Sequence, residues 1–411
     1  MTMNQELLSQ FNAKAKEVKE DMIDFAQRLI RTPSESGKEG DVAQVILAEL
    51  KKLDFDEAYV DPIGNVIGII KGTGDGPNIL YNCHMDHVAP GNLDDWEYPP
   101  YSAEIADGWI HGRAASDTKG AMAPQVYAAY LIKACGVKLK GDIILTFVVY
   151  EEPGDMWGAM HLTDTLKQPI AFAVLGEATG LDVYLGHRGK IEIEVISRGL
   201  MSHSSAPRLG INAVSKMAPF IVEIDKLSKD LPTDEFLGQG TQSMIHISCQ
   251  PGWGCTVPDV CQVNVDYRFL PDQKSEDILA QYRAVADKLK AADPESNFDI
   301  RIRDLDHTSY TGFHEVCPLD KPAYLVPTDN EYVVKTVDSL KQLGQEPKFS
   351  RWDFGTDGAW LDRKLGIPTI GYSCCEEVYA HRPNDRVSIE KMEKCLLGNI
   401  AISCAVCEID A

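Results

Sequence analysis

The order of strand and helix patterns between residues 191 and 303 restricts the fold more than any other feature of this sequence. Ile191, Ile193 and Val195 alternate with glutamates, which predicts a half-exposed strand. The segments that follow predict a helix at 212–229, strands at 243–249 and 260–269, a helix at 276–292 and a strand at 298–303. This β-α-β-β-α-β order is typical of a ferredoxin-like unit.

An α/β pattern flanks this unit on both sides. Before it, helical patterns at 16–31, 41–53 and 119–134 alternate with apolar strand patterns at Val66–Ile70, 78–83, 143–150 and 171–175. After it come a helical pattern at 331–343, a strand pattern at 368–372 and a closing helical pattern at 389–407. Such alternation predicts an α/β fold. We therefore expect one domain formed by residues 1–189 and 311–411, with residues 190–310 inserted into it as a second domain.

The charge balance excludes several classes of partner. Lysine and arginine total 40 against 62 acidic residues, a net charge of −22. An acidic surface repels phosphate backbones and anionic membranes, so we expect no nucleic acid or membrane partner. No apolar run approaches the roughly 20 residues of a spanning helix, and the first residues show no secretory signal. Together with 11 scattered cysteines, an odd number, this predicts a reduced, cytoplasmic protein.

Histidines and carboxylates follow several of the predicted strands. His84 comes directly after an apolar strand pattern, and Asp86 lies two residues further on. On an extended segment the two side chains point to the same side. The carboxylate could therefore hold one ring nitrogen while the other binds a metal. Taken alone, the pattern is more typical of a structural histidine.

Other candidates complete a possible metal site. They are Asp117 in a polar turn, Glu151 and Glu152 at the end of one apolar strand, Glu177 at the end of another, and His381 in a polar loop. Adjacent carboxylates at a strand end are costly without a cation, and ligands of α/β sheets bind where strand ends converge. Mixed imidazole and carboxylate ligands suit zinc, and also cobalt or manganese. Each residue taken singly could also be a solvated loop charge.

These motifs, in this order and with the insertion between the fourth and the fifth, resemble those of a family of dinuclear-zinc hydrolases. The family includes acetylornithine deacetylase, succinyl-diaminopimelate desuccinylase, aminoacylase and carboxypeptidase G, and the resemblance covers nearly the whole chain. Residues 205–207, 212–213 and 235–238 resemble a branch linked to selenium-dependent and purine metabolism. The resemblance implies a mixed-sheet catalytic domain with an inserted ferredoxin-like lid and dimerisation domain.

The resemblance also implies two divalent metal ions per chain, zinc with cobalt or manganese as alternatives. It places one ion between His84 and Glu177 and the second between Glu152 and His381. Asp117 would bridge the two ions. Three carboxylates and a hydroxide would then offset the charge of two divalent cations.

Further roles follow from the resemblance for residues outside the ligand set. Asp86 would orient the first histidine ligand, and Glu151 would be the general base. His203, which could also be a surface histidine, would stabilise the oxyanion in the site of a partner subunit, in a homodimer formed through the inserted domain. Arg268 would bind the substrate's carboxylate, unless it only pairs with a neighbouring aspartate, and Arg188 is a second candidate for that role.

The implied reaction is hydrolysis of an amide C–N bond, peptide or N-acyl, in a small amino-acid-derived substrate. A ureido amide is an alternative substrate, and a non-catalytic protein that binds a ligand is an alternative function. Residues 355–357 resemble a glycine-rich substrate loop, or are a plain turn.

The sequence departs from the family at three positions, His87, Cys255 and Arg382, which would alter the pocket and leave the ligands intact. We predict that the cysteines at 374 and 375, and those at 404 and 407, are buried thiols rather than metal ligands.

Overall fold

The computed structural model describes residues 4–154 and 156–410, which form a large mixed β-sheet, a smaller antiparallel sheet and the helices that cover them. The α-helices are α1 (Gln5–Glu17), α2 (Lys19–Arg31), α3 (Gly40–Lys52), α4 (Gly120–Ala134), α5 (Trp157–Met160), α6 (Leu162–Thr165), α7 (Ala213–Leu227), α8 (Ser275–Ala292), α9 (Glu331–Gln342), α10 (Gly358–Arg363) and α11 (Ile389–Val406). The β-strands are β1 (Glu57–Val60), β2 (Val66–Ile70), β3 (Asn78–His84), β4 (Glu104–Ala106), β5 (Trp109–His111), β6 (Ile143–Val148), β7 (Ile170–Leu175), β8 (Val183–His187), β9 (Gly189–Arg198), β10 (Ser202–His203), β11 (Thr233–Asp234), β12 (Gly238–Gln239), β13 (Thr241–Gln250), β14 (Thr256–Val257), β15 (Val260–Phe269), β16 (Phe298–Ile302), β17 (Asp304–Thr308), β18 (His314–Pro318), β19 (Asp320–Lys321), β20 (Tyr324–Leu325), β21 (Phe349–Trp352), β22 (Thr369–Gly371) and β23 (Arg386–Ser388).

The large sheet confirms the predicted α/β class with a mixed sheet. Its strand order is β1-β2-β6-β3-β7-β22-β8-β20, and β21 pairs with β8. Strands β6, β3, β7 and β22 run parallel to one another, whereas the pairs β1–β2, β2–β6, β22–β8 and β8–β20 are antiparallel. The central strand β6 is buried along its whole length, as expected for an apolar run in the middle of a sheet. Helices α4 and α11 pack against β3 and against each other.

The smaller sheet has the β-α-β-β-α-β order of elements that the sequence predicted. Its strands are arranged β13-β15-β9-β16, and β19 also pairs with β9. Helices α7 and α8 cover one face, and the apolar side chains between them and the sheet form a buried cluster separate from that of the large sheet. The division of the chain at residues 189 and 310 stays a prediction. Strand β19, which pairs in this sheet, lies beyond residue 310.

The prediction that the first strand of this sheet is half-exposed was wrong. Glu192 and Glu194 on β9 are 5% and 7% exposed, because polar side chains cover both carboxylates. Asn264 donates to Glu192 at 2.7 Å, and Arg303 pairs with the same carboxylate at 2.9 Å. Arg301 donates to Glu194 at 2.6 Å. Alternation of apolar and charged residues therefore marks two different buried faces here.

Further local predictions concern a helix boundary and the cysteine side chains. The helix predicted at 16–31 begins at Lys19 as α2, and residues 16–17 end the preceding helix α1, because Val18 leaves the helical geometry with ψ near 2°. The cysteines at 374, 375, 404 and 407 are buried free thiols, which confirms their predicted burial. Within the described ranges, no helix combines the length and apolar character needed to cross a membrane.

Candidate active site

The predicted metal ligands meet where three parallel strands end. His84 is the last residue of β3, Glu151 and Glu152 follow β6, and Glu177 follows β7. Strand β3 pairs in parallel with both β6 and β7, so all three carboxyl ends lie at one edge of the large sheet. Asp117 reaches the same edge from the turn that precedes α4, where its backbone is extended rather than helical, with φ −153° and ψ 81°. Convergence of strand ends, which the sequence could only suggest, is thus part of the structure.

One half of the cluster is built around His84, which is 1% exposed. Its Nε2 atom lies 3.1 Å from Oδ1 of Asp117 and 3.7 Å from Oε1 of Glu177. Ligand atoms of His84, Glu151 and Glu177 lie within 4.8 Å of one another, as do those of His84, Asp117 and Glu152. Groups so spaced can surround a cation.

The other half is built around His381, on the loop before β23. Its Nε2 atom lies 3.0 Å from Oδ2 of Asp117 and 3.0 Å from Oε2 of Glu152. Asp117 therefore presents one carboxylate oxygen to His84 and the other to His381. A carboxylate shared in this way can join two neighbouring cations.

The donor set fits divalent cations, because it concentrates negative charge out of water. Burial and the charge of Asp117 raise the pKa of Glu152 to about 7, and burial raises the pKa of Glu177 well above its usual value. Hydrogen bonds with Asp117 and Glu152 raise the pKa of His381 to about 10. Burial disfavours a charged His84, but bonds to nearby carboxylates outweigh it and raise its pKa well above normal. Cations among these carboxylates would stabilise their ionised forms.

Asp86 connects the two strand ends beside the cluster. It is fully buried, and its Oδ1 atom lies 3.6 Å from Nδ1 of His84. The same Nδ1 atom is 3.0 Å from the backbone oxygen of Asp86, a contact that leaves Nε2 directed at the carboxylates. The two Asp86 oxygens accept the backbone N–H groups of Glu151 and Glu152, at 3.0 and 3.1 Å, and Oδ2 also accepts the Ser36 hydroxyl at 2.7 Å. Asp86 thus positions the backbone of Glu151 and Glu152 as well as the ring of His84.

Sequence reasoning missed Lys321, which contacts the predicted general base. Its ammonium donates to Oε1 of Glu151 at 2.9 Å, and its side chain is 1% exposed. Asp357, in the segment predicted to be a substrate loop or a plain turn, is also buried, and Asn82 donates to it at 2.8 Å. Burial and the charge of Glu151 raise the pKa of Asp357 to about 7. Nothing in the sequence around Lys321 signals this contact, because β19 is only two residues long.

The candidate substrate residues divide between two places. Arg268 lines the cavity in front of the cluster, and it also makes two hydrogen bonds to Asp266, at 2.7 and 3.1 Å. The pairing of Arg268 with Asp266 is therefore present, whereas its contact with a substrate stays a prediction. Arg188 is not among the described residues that line this cavity. It donates to the backbone oxygen of Gln239 at 2.7 Å and lies 3.5 Å from Asp353.

His203 lies outside the cavity of its own chain. It is exposed on β10, opposite Thr256 of β14, and its Nδ1 atom accepts the hydroxyl of Ser205 at 2.7 Å. A role for His203 in catalysis would therefore require a second subunit, and it stays a prediction.

The three departures from the family pattern have different positions. His87 is buried: its Nε2 accepts the backbone N–H of Ser34 at 2.8 Å and its Nδ1 lies 2.9 Å from the backbone oxygen of Val88. Burial lowers the pKa of His87 to about 4, so it is a neutral structural residue. Arg382 lines the cavity, whereas Cys255 is exposed. Of the three, Arg382 is the one that borders the cavity.

Comparison with known proteins adds to this geometry. The sequence pattern of the peptidase family M20/M25/M40 matches residues 80–397. The protein YgeY of Escherichia coli strain K12 is 34% identical over 391 residues, which is 95% of each chain. The predicted resemblance is thereby confirmed.

Solved structures share the fold at low sequence identity. Aminopeptidase PepT of Bacillus cereus has 21% identity and a TM-score of 0.71, over 94% of this chain and 98% of its own. Human carnosine dipeptidase 1 has 13% identity and a TM-score of 0.72, over 98% and 99%. YXEP of Bacillus subtilis, described as a dinuclear metal binding peptidase, has 16% identity and a TM-score of 0.69, over 94% and 98%.

Proposed function

The chain belongs to the peptidase family M20/M25/M40 and is a metal-dependent peptidase or amidohydrolase, and from this we propose that it uses two divalent ions to cleave an amide C–N bond. The bond would be a peptide or N-acyl amide of a small amino-acid-derived substrate. The observation that carries the proposal is the position of Asp117, whose two oxygens face His84 and His381 at 3.1 and 3.0 Å.

The ligands would divide as the resemblance implies. His84 and Glu177 would hold one ion, and Glu152 and His381 would hold the other. Asp117 would bind both ions. The mixture of imidazole and carboxylate suits zinc, with cobalt and manganese as alternatives. When bound, the ions supply an activated water and polarise the scissile carbonyl.

Glu151 would act as the general base. It belongs to the cavity but pairs with Lys321 rather than with a histidine, which leaves its second oxygen available to the attacking water. It would take the proton of that water and transfer it to the leaving nitrogen. Lys321 would hold the carboxylate in place, and Asp86 would hold its backbone.

Arg268 would bind the carboxylate of the substrate. Its Nε and Nη2 atoms are fixed by Asp266, and a guanidinium has five N–H donors, so its Nη1 edge can face the cavity. This arrangement would place the substrate's carboxylate across the cavity from the metal ligands and position the amide between them.

We further infer a homodimer formed through residues 190–310, acting as an inserted lid and dimerisation domain. Strand β13 lies at the edge of the smaller sheet, and Ile245 and Ile247 on it are 54% and 61% exposed. An unpaired edge with exposed apolar side chains favours pairing with another chain. His203 would then act in the site of the partner subunit. Free, mostly buried thiols support a reduced, cytoplasmic location.

The decisive experiment combines metal content and turnover. Protein loaded with zinc, cobalt or manganese is assayed by elemental analysis and with N-acyl amino acids, dipeptides and ureido amino acids. We expect two ions per chain, at most one in Asp117→Ala, and release of an amino acid from one of the first two substrate classes. A metal content of one or below that Asp117→Ala does not change would contradict the dinuclear site. Two bound ions with no turnover of any class would favour a binding protein.

A further inference from the structure

Three cationic side chains lie in one row across the smaller sheet. Arg268 on β15 pairs in register with Lys190 on β9, and Lys190 pairs in turn with Lys321 on β19. Residues directly opposite on neighbouring strands project from the same face of a sheet. All three line the cavity that also contains the predicted metal ligands. The smaller sheet thus places three cationic side chains in the same cavity as the carboxylates of the predicted metal site.

Two members of this cationic row have carboxylate partners. Lys321 donates to Glu151 at 2.9 Å, and Arg268 makes its two hydrogen bonds to Asp266. These contacts satisfy the Lys321 charge and fix the orientation of the guanidinium.

Lys190 is different. Among the residues described in 4–154 and 156–410, none accepts a hydrogen bond from its ammonium, and the ion-pair partner is Oδ2 of Asp266 at 3.9 Å, which already accepts from Arg268. Its side chain is 20% exposed. Gly154 borders the same part of the cavity, and a Cβ at that position would lie 3.1 Å from Nζ of Lys190. The absence of a side chain at residue 154 therefore leaves the ammonium open to the cavity.

Such a row is unfavourable unless an anion joins it. Like charges directly opposite on adjacent strands destabilise a sheet, and a half-buried ammonium loses part of its hydration. Burial and the neighbouring charge of Arg268 lower the pKa of Lys190, as expected for a cation among cations. An anion bound in the cavity beside Lys190 would relieve both costs.

We propose that Lys190 binds a second carboxylate of the substrate, so that the enzyme prefers amide derivatives of dicarboxylic amino acids. This inference rests on the proposed function, in which Arg268 binds the first carboxylate. The side-chain carboxylate of a glutamate or aspartate derivative would lie over Lys190, one strand away from the α-carboxylate at Arg268. Lys190 is thereby a specificity-determining residue and not part of the bond-cleaving machinery.

The test compares N-acetyl-L-glutamate with N-acetyl-L-glutamine, which have nearly the same size and differ by one negative charge. Metal-loaded wild-type, Lys190→Met and Lys190→Arg proteins are assayed for kcat/KM with both compounds. The dissociation constants of both are measured by calorimetry in the Glu151→Gln background, where turnover should not consume them. We expect wild-type protein to prefer the diacid about tenfold, Lys190→Met to reduce the preference to near one, and Lys190→Arg to retain most of it. Added salt should weaken the preference.

The matched control is Lys288→Met. Lys288 lies on α8, is 68% exposed and pairs with Glu223, so this variant removes one positive charge without touching the cavity. Its preference ratio should equal that of wild-type protein. Binding that favours the diacid and depends on Lys190, in a protein that hydrolyses neither compound, would support the second-carboxylate site and contradict the hydrolytic function. Hydrolysis without a preference, or a preference that persists in Lys190→Met, would overturn the proposal.

Discussion

The carboxylate of Asp86 accepts a hydrogen bond from the backbone N–H of Glu151, at 3.0 Å, although the two residues follow different strands of the large sheet. The other carboxylate oxygen of Asp86, Oδ2, accepts the backbone N–H of Glu152 at 3.1 Å. The Oδ1 atom of Asp86 also lies 3.6 Å from Nδ1 of His84. One buried side chain thus positions an imidazole and two glutamates. Any change at Asp86 should therefore disturb both the metal ligands and the base.

We expect Asp86→Asn to weaken metal affinity or activity by about 10- to 100-fold, the typical cost of losing a partner of a ligating histidine. The carboxamide would also point an N–H group at backbone N–H donors. Metal affinity is measured by competition with a chelator, and kcat is measured with saturating metal. Ser36→Ala is the control, because it removes one hydrogen bond to Asp86 without altering the carboxylate. Equal losses in the two variants would show that Asp86 has no special role.

Glu151→Gln should abolish turnover while leaving metal content close to that of wild-type protein. A glutamine can still accept from Lys321 but cannot take a proton, and general-base catalysis is typically ~10²–10⁴-fold. Glu152→Gln is the matched control at the next position, and it should lose metal as well as activity because Glu152 contacts His381. Elemental analysis and turnover are measured on the same samples. An active, metal-replete Glu151→Gln protein would refute the role of Glu151 as base.

Much of the site could be predicted because its residues follow recognisable strands. The apolar runs before His84, Glu151 and Glu177 mark buried parallel strands, and the ends of such strands meet at one sheet edge. Asp117 and His381 come from a turn and a loop, so the residue types made them candidates and the resemblance to a family assigned them their roles as ligands. Local pattern and family resemblance thus each contributed a different part of the cluster.

The contacts that could not be predicted are those between distant short strands. Lys321 reaches Glu151 from a two-residue strand, and its alignment with Lys190 depends on register in the smaller sheet. The burial of Glu192 depends on Arg303 of the segment after β16, far along the chain. Periodicity reports which side of a strand a residue takes, but not which charged side chain covers that side.

His87 predicts a specific pH dependence of stability. Its folded pKa of about 4 lies below the ordinary value of 6.5, so the unfolded chain binds the proton more tightly. The contribution of a neutral His87 is therefore fully present above pH 6.5 and is lost as the pH falls toward 4. The shift corresponds to on the order of 3 kcal/mol at its full extent.

This dependence is measured by urea unfolding between pH 7.5 and pH 4.5, in wild-type and His87→Gln proteins. The variant should be less stable at neutral pH, because the contacts with Ser34 and Val88 change, but its stability should fall less steeply with acid. His314→Gln is a control, since His314 is an exposed histidine on β18. Parallel pH profiles for wild-type protein and His87→Gln would contradict a buried neutral imidazole.

The final prediction concerns His203 and the proposed dimer. His203 is exposed and is not among the described residues that line the cavity of its own chain, so we expect it to act in a partner's site. His203→Ala and Glu151→Gln homodimers should each be nearly inactive, since loss of an oxyanion donor costs about 10²–10³ in rate. A mixed dimer, however, has one site with an intact Glu151 and an intact His203 from the other subunit. Equal mixing should therefore restore about a quarter of wild-type activity, because about half of the dimers are mixed and each has one working site.

Differently tagged subunits establish that exchange has occurred before activity is measured in this experiment. The control is a mixture of the Glu151→Gln and Asp117→Ala proteins. Both residues line the cavity of their own chain, so neither subunit can supply the group that the other has lost. That mixture should remain inactive, because every site of a mixed dimer carries one of the two substitutions. Rescue by His203→Ala but not by Asp117→Ala would require a histidine that crosses between subunits. Absence of rescue despite proven exchange would mean that His203 takes no part in the partner's site, and its exposed position on β10 would then reflect only the local pairing with β14.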